Sequence, residues 1–264
     1  MRDFTLISYE HLLTTFKQKG YSFFTFEEYL LTKPAGKVVI LRHDVDDLPG
    51  NSLNTAKIEN RLGIKGVYYF RIVKQSNHPE IIKAIAALGH EIGYHYEDLT
   101  LAWGNTEKAI SNFKKNLEYF RTYYPVKTIC MHGSPMSTWD NKDVWKKYSY
   151  KDFGIIGEHY YDIDFKVFCY LTDTGRRWNG GQVSVRDKVV SSYNFNFETT
   201  LNITENIQKL PDKIMITVHP QRWSDNWFIW TKELILQNVK NVVKRLIASP
   251  KAGMTSLLTY FNMV

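Results

Sequence analysis

Arg42-His43-Asp44-Val45-Asp46-Asp47 sets three carboxylates within four residues, directly after the apolar run Val38-Val39-Ile40-Leu41. Carboxylates so close repel one another unless protons, cationic side chains or a metal neutralise them. Besides His43, three histidines end apolar runs of their own: His95 closes Glu91-Ile92-Gly93-Tyr94, His132 closes Ile129-Cys130-Met131, and His219 closes Met215-Ile216-Thr217-Val218. One carboxylate with two imidazoles, leaving positions open for water, suits Zn²⁺ or another divalent transition metal. Such an ion lowers the pKa of its water and polarises a carbonyl. A second carboxylate beside it could act as a general base and a further imidazole as a general acid.

These side chains are far apart in sequence, so the elements must bring them together. Short continuous apolar runs read as buried parallel strands. They fall at residues 37–43, Val67–Phe70, His90–Tyr94, Lys127–Met131, Phe168–Leu171 and Ile214–Val218. Helices are expected between them. One passes through Leu53, Ala56, Ile58 and Leu62 and ends at Gly63, a common C′ residue. Another opens at Pro79 and ends at Leu88-Gly89, with Pro in a favourable first-turn position. A third carries Ala109, Ile110, Phe113, Leu117 and Phe120, and a last one Leu234, Ile235, Val239, Val242, Val243 and Leu246; both show helical spacing. Strand-helix alternation implies a parallel sheet covered by helices. The C-terminal strand ends of such a sheet share one face, where α/β proteins place their chemistry. Residues 180–205 break the pattern: Val183, Val185, Phe195 and Phe197 alternate, which suggests an antiparallel excursion or a long ordered loop.

The chain has 264 residues and is 44% hydrophobic, enough for a sizeable core. It shows no repeat or linker and is read as one domain, 1–264. No stretch approaches the ~20 apolar residues of a membrane span, and the N-terminus lacks a secretory h-region; a cytoplasmic location is expected. Cys130 and Cys169 read as reduced thiols in apolar segments. The formal charge of +7 comes from 34 basic and 27 acidic residues. It favours acidic partners such as nucleotide-linked or anionic sugars, but no basic stripe points to nucleic acid. The aromatic content of 15% suits both a core and a carbohydrate site. His90 reads as structural, and His11, His78 and His159 as surface residues.

Taken together, these residues resemble the polysaccharide deacetylase superfamily, the NodB-like family 4 carbohydrate esterases. Asp44-Val45-Asp46 resembles its first motif, in which the first Asp is the catalytic base and the second a metal ligand. Gly89-His90-Glu91-Ile92-Gly93-Tyr94-His95 is similar to the second, whose final His binds the metal, and His219 to the last, whose His protonates the leaving amine. Closer still is a divergent, often cytoplasmic branch associated with surface-polysaccharide synthesis. That branch matches His132 with Pro135, Asp173-Thr174-Gly175-Arg176-Arg177-Trp178 and His219-Pro220-Gln221-Arg222-Trp223. The resemblance covers roughly residues 37–225 and implies a distorted (β/α)7-type barrel of mostly parallel strands.

One departure stands out. The family's second motif carries another ligand His four residues after the first, and that position is Leu99. His132 is the natural substitute, with Asp98 its competitor and Glu97 behind both. The Arg that holds the base could be Arg42, Arg176 or Arg177. The resemblance then implies a metal-dependent hydrolase removing acetyl from an N-acetylated sugar. Asp44 and His219 are its base and acid, and Asp46, His95 and His132 hold Zn²⁺, with Co²⁺ or Ni²⁺ as alternatives. Asp173 would orient His219, and a backbone N–H near Tyr96 would face the oxyanion. Arg177, Trp178 and Trp223 are expected to support or wall the substrate site. Two other readings remain: a carbohydrate-binding descendant that has lost its metal, and a hydrolase of another C–N bond.

Overall fold

A computed structural model describes residues 2–178 and 189–248. Its centre is a curled, all-parallel sheet that forms a half-barrel surrounded by helices. The strands are β1 (Ser22–Phe24), β2 (Val38–Val45), β3 (Val67–Phe70), β4 (Glu91–Tyr96), β5 (Thr128–Met131), β6 (Gly157–Glu158), β7 (Cys169–Thr172) and β8 (Lys213–Val218). Seven follow the order β6-β5-β4-β3-β2-β8-β7. The eighth, β1, pairs with Val38–Ile40 of β2, on the edge that β3 takes over at Arg42–Val45. The helices α1 (Leu6–Gln18), α2 (Phe26–Thr32), α3 (Pro49–Arg61), α4 (Pro79–Ala87), α5 (Asp98–Leu101), α6 (Thr106–Arg121), α7 (His159–Asp162), α8 (Thr200–Glu205) and α9 (Trp227–Ala248) complete the order.

Every residue of β2 is buried, so its alternation separates two interiors. Val39 and Leu41 pack outward with Tyr9, Leu12 and Phe16 of α1. Val38 and Ile40 point into the half-barrel with Val67, Tyr69, Cys130 and Met215, above Phe26 and Tyr29 of α2. Toward the C-terminal end, the inward face changes from apolar to ionic at Arg42 and Asp44. The inner positions of β4 show how tightly this space is filled: a β-carbon at Gly93 would collide with the Tyr69 ring.

The expected strands and helices are present, with ends shifted by a few residues. β2 runs on to Val45 and β4 to Tyr96. Before residue 37, α1, α2 and β1 have no counterpart in the expected order, and neither does the two-residue β6. Of the expected antiparallel segment, Val183 and Val185 lie outside the described residues. Residues 189–199 carry no strand, and α8 follows them. No helix among the described residues is long and apolar enough to cross a membrane.

Candidate metal and acid-base site

The inward face of β2 supplies a carboxylate and its counter-charge two residues apart. Arg42 donates to Asp44 from Nε (2.7 Å to Oδ1) and Nη2 (2.5 Å to Oδ2), a two-point grip that only a guanidinium makes. Both side chains are buried. Burial alone would raise the Asp44 pKa, but Arg42 and the neighbouring imidazoles hold it below the usual carboxylate value. Of the three arginines considered, Arg42 is therefore the one that holds Asp44. Arg176 instead donates to the Trp230 carbonyl, and Arg177 does not line the cleft.

Asp46 lies just past the strand, where its N–H donates to the Asp44 carbonyl at 3.1 Å. Its Oδ1 is buried and accepts no hydrogen bond among the described residues. Two imidazoles face it, His95 Nε2 at 3.6 Å and His132 Nε2 at 3.5 Å. The partners of the other ring nitrogens fix the tautomers. His95 Nδ1 donates to the Cys130 carbonyl at 2.9 Å, and burial pushes this imidazole down to about 4, so it is neutral at pH 7. His132 Nδ1 donates to Glu97 Oε2 at 2.9 Å. With Nδ1 so committed, the neutral His95 turns its Nε2 lone pair toward a carboxylate oxygen that also carries lone pairs, and His132 Nε2 faces the same oxygen. Such an arrangement is repulsive unless a cation lies among the three atoms. An ion bound at about 2.0–2.2 Å by each donor would set the donors roughly 3.3–3.5 Å apart, close to the distances found. The residues fit a divalent metal. Asp44, His95 and Cys130 also cluster within 4.8 Å, but Arg42 already occupies both oxygens of Asp44.

Asp98 does not compete for this place. Its carboxyl accepts from Tyr94 Oη at 2.8 Å and Asn116 Nδ2 at 2.8 Å, on the side facing α6. Leu99 is buried in the outer apolar cluster with Tyr94, Tyr96 and Phe113. Glu97 backs His132 and is itself gripped by Arg71 from Nε and Nη2, each at 2.8 Å. Burial opposes ionisation there, yet the His132 and Arg71 donors bring Glu97 down to about 2. Neither Arg71 nor the pairing role of Glu97 is anticipated by the sequence. Arg71 follows β3 as His132 and His219 follow β5 and β8, and that position was the available signal.

On the opposite flank, His219 Nε2 lies 3.9 Å from Asp46 Oδ2. Its Nδ1 donates to Asp173 at 2.6 Å. Asp173 also accepts from the His219 N–H, Arg222 Nη1 and Trp223 Nε1, at 2.9, 2.7 and 2.8 Å. Against the effect of burial, Arg222 and His219 hold its carboxyl below the usual range. Gln221, also unanticipated, brings Nε2 to 3.5 Å from Asp46 Oδ2.

Several expected residues lie elsewhere. His43 points outward from β2, the opposite side from Asp44, and meets Glu59 and Tyr9, each at 2.9 Å. His159 is fully buried, stacked on Phe26 at 3.9 Å and bonded to Tyr69 Oη, rather than on the surface. His90 is buried between Gly66 and Ala56 backbone groups. Trp223 is wholly buried and reaches the site only through Asp173. Trp178 packs in the outer core and donates to Thr200. Neither tryptophan lines the cleft, and neither does Tyr96, whose phenol bonds Glu158. Asp47, by contrast, does line the cleft, exposed and accepting from the Leu48 N–H. The cleft itself measures about 660 Å³, with Met131, Pro135 and Tyr160 as apolar wall and Glu233 and Lys240 of α9 at its rim.

No protein-family model matches the sequence, and no curated protein matches it. Among solved structures the chain is similar to a CE4 family pseudoenzyme from Bacillus anthracis, at 16% identity over 80% of this chain and 62% of that one, TM-score 0.45. It is also similar to a CE4 esterase from Streptococcus mutans, at 15% identity over 86% and 90%, TM-score 0.44. A third is a family 4 carbohydrate esterase from Streptomyces lividans in complex with acetate, at 13% identity over 79% and 88%, TM-score 0.41. The chain spans 62% of the length of the Bacillus anthracis protein it matches.

Proposed function

We propose that the protein is a metal-dependent carbohydrate N-deacetylase of the NodB-like type. The observation that carries this reading is the convergence of two imidazole Nε2 atoms, each with its Nδ1 committed to another acceptor, on an Asp46 Oδ1 that accepts no hydrogen bond among the described residues, with a gripped carboxylate and a carboxylate-backed imidazole beside it. Asp46, His95 and His132 would hold the ion, for which Zn²⁺ suits the donor set best and Co²⁺ or Ni²⁺ are alternatives. When bound, it polarises the acyl carbonyl and makes its water acidic.

The chain's own groups do the rest. Asp44, ionised and oriented by Arg42, takes the proton of the attacking water. His219, whose Nδ1 proton is committed to Asp173, uses Nε2 to protonate the departing amine. Met131, Pro135 and Tyr160 give the acetyl methyl an apolar wall. The binding-only reading draws on Leu99, and His132, which faces Asp46 from the end of the next strand, weighs against it.

Acetate release from N-acetylated sugars, with and without added Zn²⁺, Co²⁺ or Ni²⁺, tests the proposal. Activity should need metal, and Asp44→Asn should lower kcat by about 10²–10⁴-fold with metal still bound. Metal retained by Asp46→Ala, with unchanged turnover, would refute the ligand assignment. Turnover of a cyclic amide in place of an acetamide would favour hydrolysis of another C–N bond.

A further inference from the structure

The last helix, α9, is packed the reverse of the usual way. A helix lying against a folded body ordinarily turns its apolar stripe inward and its polar face to water. The inward face of α9 is instead fastened by polar bonds. Gln237 and Asn241 are both buried there. Asn241 Nδ2 donates to the Gly175 carbonyl and Gln237 Nε2 to Asn241 Oδ1, each at 2.8 Å. Trp230 Nε1 donates to the Asp3 carbonyl at 2.8 Å, and the Trp230 carbonyl accepts from Arg176.

The outward face is apolar. Phe228, Ile235, Val239 and Val242 recur at helical spacing along one side, and they are 83%, 59%, 58% and 57% exposed. Leu236 and Val243, also exposed, widen the stripe. Single exposed apolar residues are ordinary, but a contiguous band of them marks contact with a protein or a membrane. Lys232 and Lys240 are exposed on the same helix. Its one acid, Glu233, is half-buried at the rim of the cleft. An apolar face with lysines and without an exposed acid matches a helix that lies on an anionic lipid surface. No helix among the described residues is apolar enough to cross a bilayer, so such a helix would lie in its plane.

We propose that α9 docks the protein on an anionic bilayer, with Phe228, Ile235, Val239 and Val242 in the interface and Lys232 and Lys240 at the lipid phosphates. Lys232 favours lipid over a second copy of the chain. It falls inside the stripe, four residues after Phe228 and three before Ile235. Between two copies its charge would be buried without a partner, which is costly. At a bilayer its stem lies along the apolar layer while the ammonium reaches the headgroups. The formal charge of +7 acts in the same direction. Val239 and Val243 also line the cleft, so docking sets the cleft mouth beside the lipid surface. Docking of this kind does not depend on the chemistry proposed above.

The test is co-sedimentation of the full chain with vesicles of phosphatidylcholine alone and with about 30% phosphatidylglycerol. The chain should sediment with the anionic vesicles far more than with the neutral ones, and added salt should weaken that binding. Lys232→Gln with Lys240→Gln should lower affinity for the anionic vesicles about tenfold. Phe228→Ser with Ile235→Ser, which leaves the cleft lining and the inward bonds intact, should also lower it about tenfold, whereas Phe228→Trp should keep it. Both pairs lie on an exposed face, so their thermal midpoints should match the parent chain, which separates lost docking from lost folding. Sedimentation with neither vesicle overturns the proposal, and so does binding that survives Phe228→Ser with Ile235→Ser. A dimer seen by light scattering that the same pair dissolves, without vesicle binding, overturns it too and gives the face to a second copy.

Discussion

At the scale of residues, the site depends on which atom of each imidazole is committed elsewhere. On the proposed assignment, His132 serves a metal because its Nδ1 donates to Glu97 while Arg71 keeps Glu97 ionised and in place. Carboxylates behind ligand histidines ordinarily matter by 10–100-fold in metal affinity. Glu97→Ala should weaken Zn²⁺ binding by about that factor in a competition titration, with Glu97→Gln intermediate. Leu99→His should not strengthen it: the side chain at 99 packs among Tyr94, Tyr96 and Phe113. An imidazole there would lose its hydrogen bonds at a cost of about 1–3 kcal/mol, measurable by urea unfolding. Much of this was legible. The order of Asp44, Asp46, His95, His132 and His219 identified the groups that converge. The choice of His132 over Asp98 was not, because it turns on Asp98 facing Tyr94 and Asn116 through space. His43 also ends an apolar run, but adjacent strand residues face opposite ways, so Asp44 and His43 could not both enter the cleft.

At the scale of elements, strand ends carry charge because their inner face emerges from an apolar floor. The longer strands and helices were legible from their apolar periods. β1 and β6, of three and two residues, are too short to have a period at all. Where an element buries a carboxyl without a cation, its pKa rises. Asp98, at the start of α5, is pushed up to about 7 by burial, and so is Glu158 at the end of β6. Unfolded, both would titrate near 4. The folded chain therefore binds more protons between about pH 4 and 7, and stability falls as pH rises through that window. Below it the contribution is fully present; above it the loss is complete. The buried imidazoles of His90, His95 and His159, whose pKa burial lowers, act in the opposite direction, so the fall is read in the difference between the urea midpoints of the chain and of Asp98→Asn from pH 4 to 8. Asp98→Asn, which keeps groups able to bond Tyr94 and Asn116, should flatten its share.

At the scale of the whole molecule, the site draws on β2, β3, β4, β5 and β8 and on Asp173 after β7. No single element contains it, and whatever binds there ties those strands together. A metal that binds the folded chain alone contributes about 2.7 kcal/mol at a hundredfold excess over Kd. For a chain of this size that raises Tm by roughly 5–10 °C. Thermal scans with Zn²⁺ should show the rise, chelation should reverse it, and Asp46→Ala should not show it. The topology also sorts the site in time. Asp46, His95 and His132 come from β2, β4 and β5, within a run of strands, β2 to β5, that are neighbours in the sheet and consecutive in the chain. Asp173 and His219 stand on the other flank, beside β7 and β8. On the proposed assignment, a chain growing from its N-terminus carries all three metal donors once residue 132 is made and gains its acid only at 219. The order of synthesis would thus put the ion's donors in place before the proton donor exists.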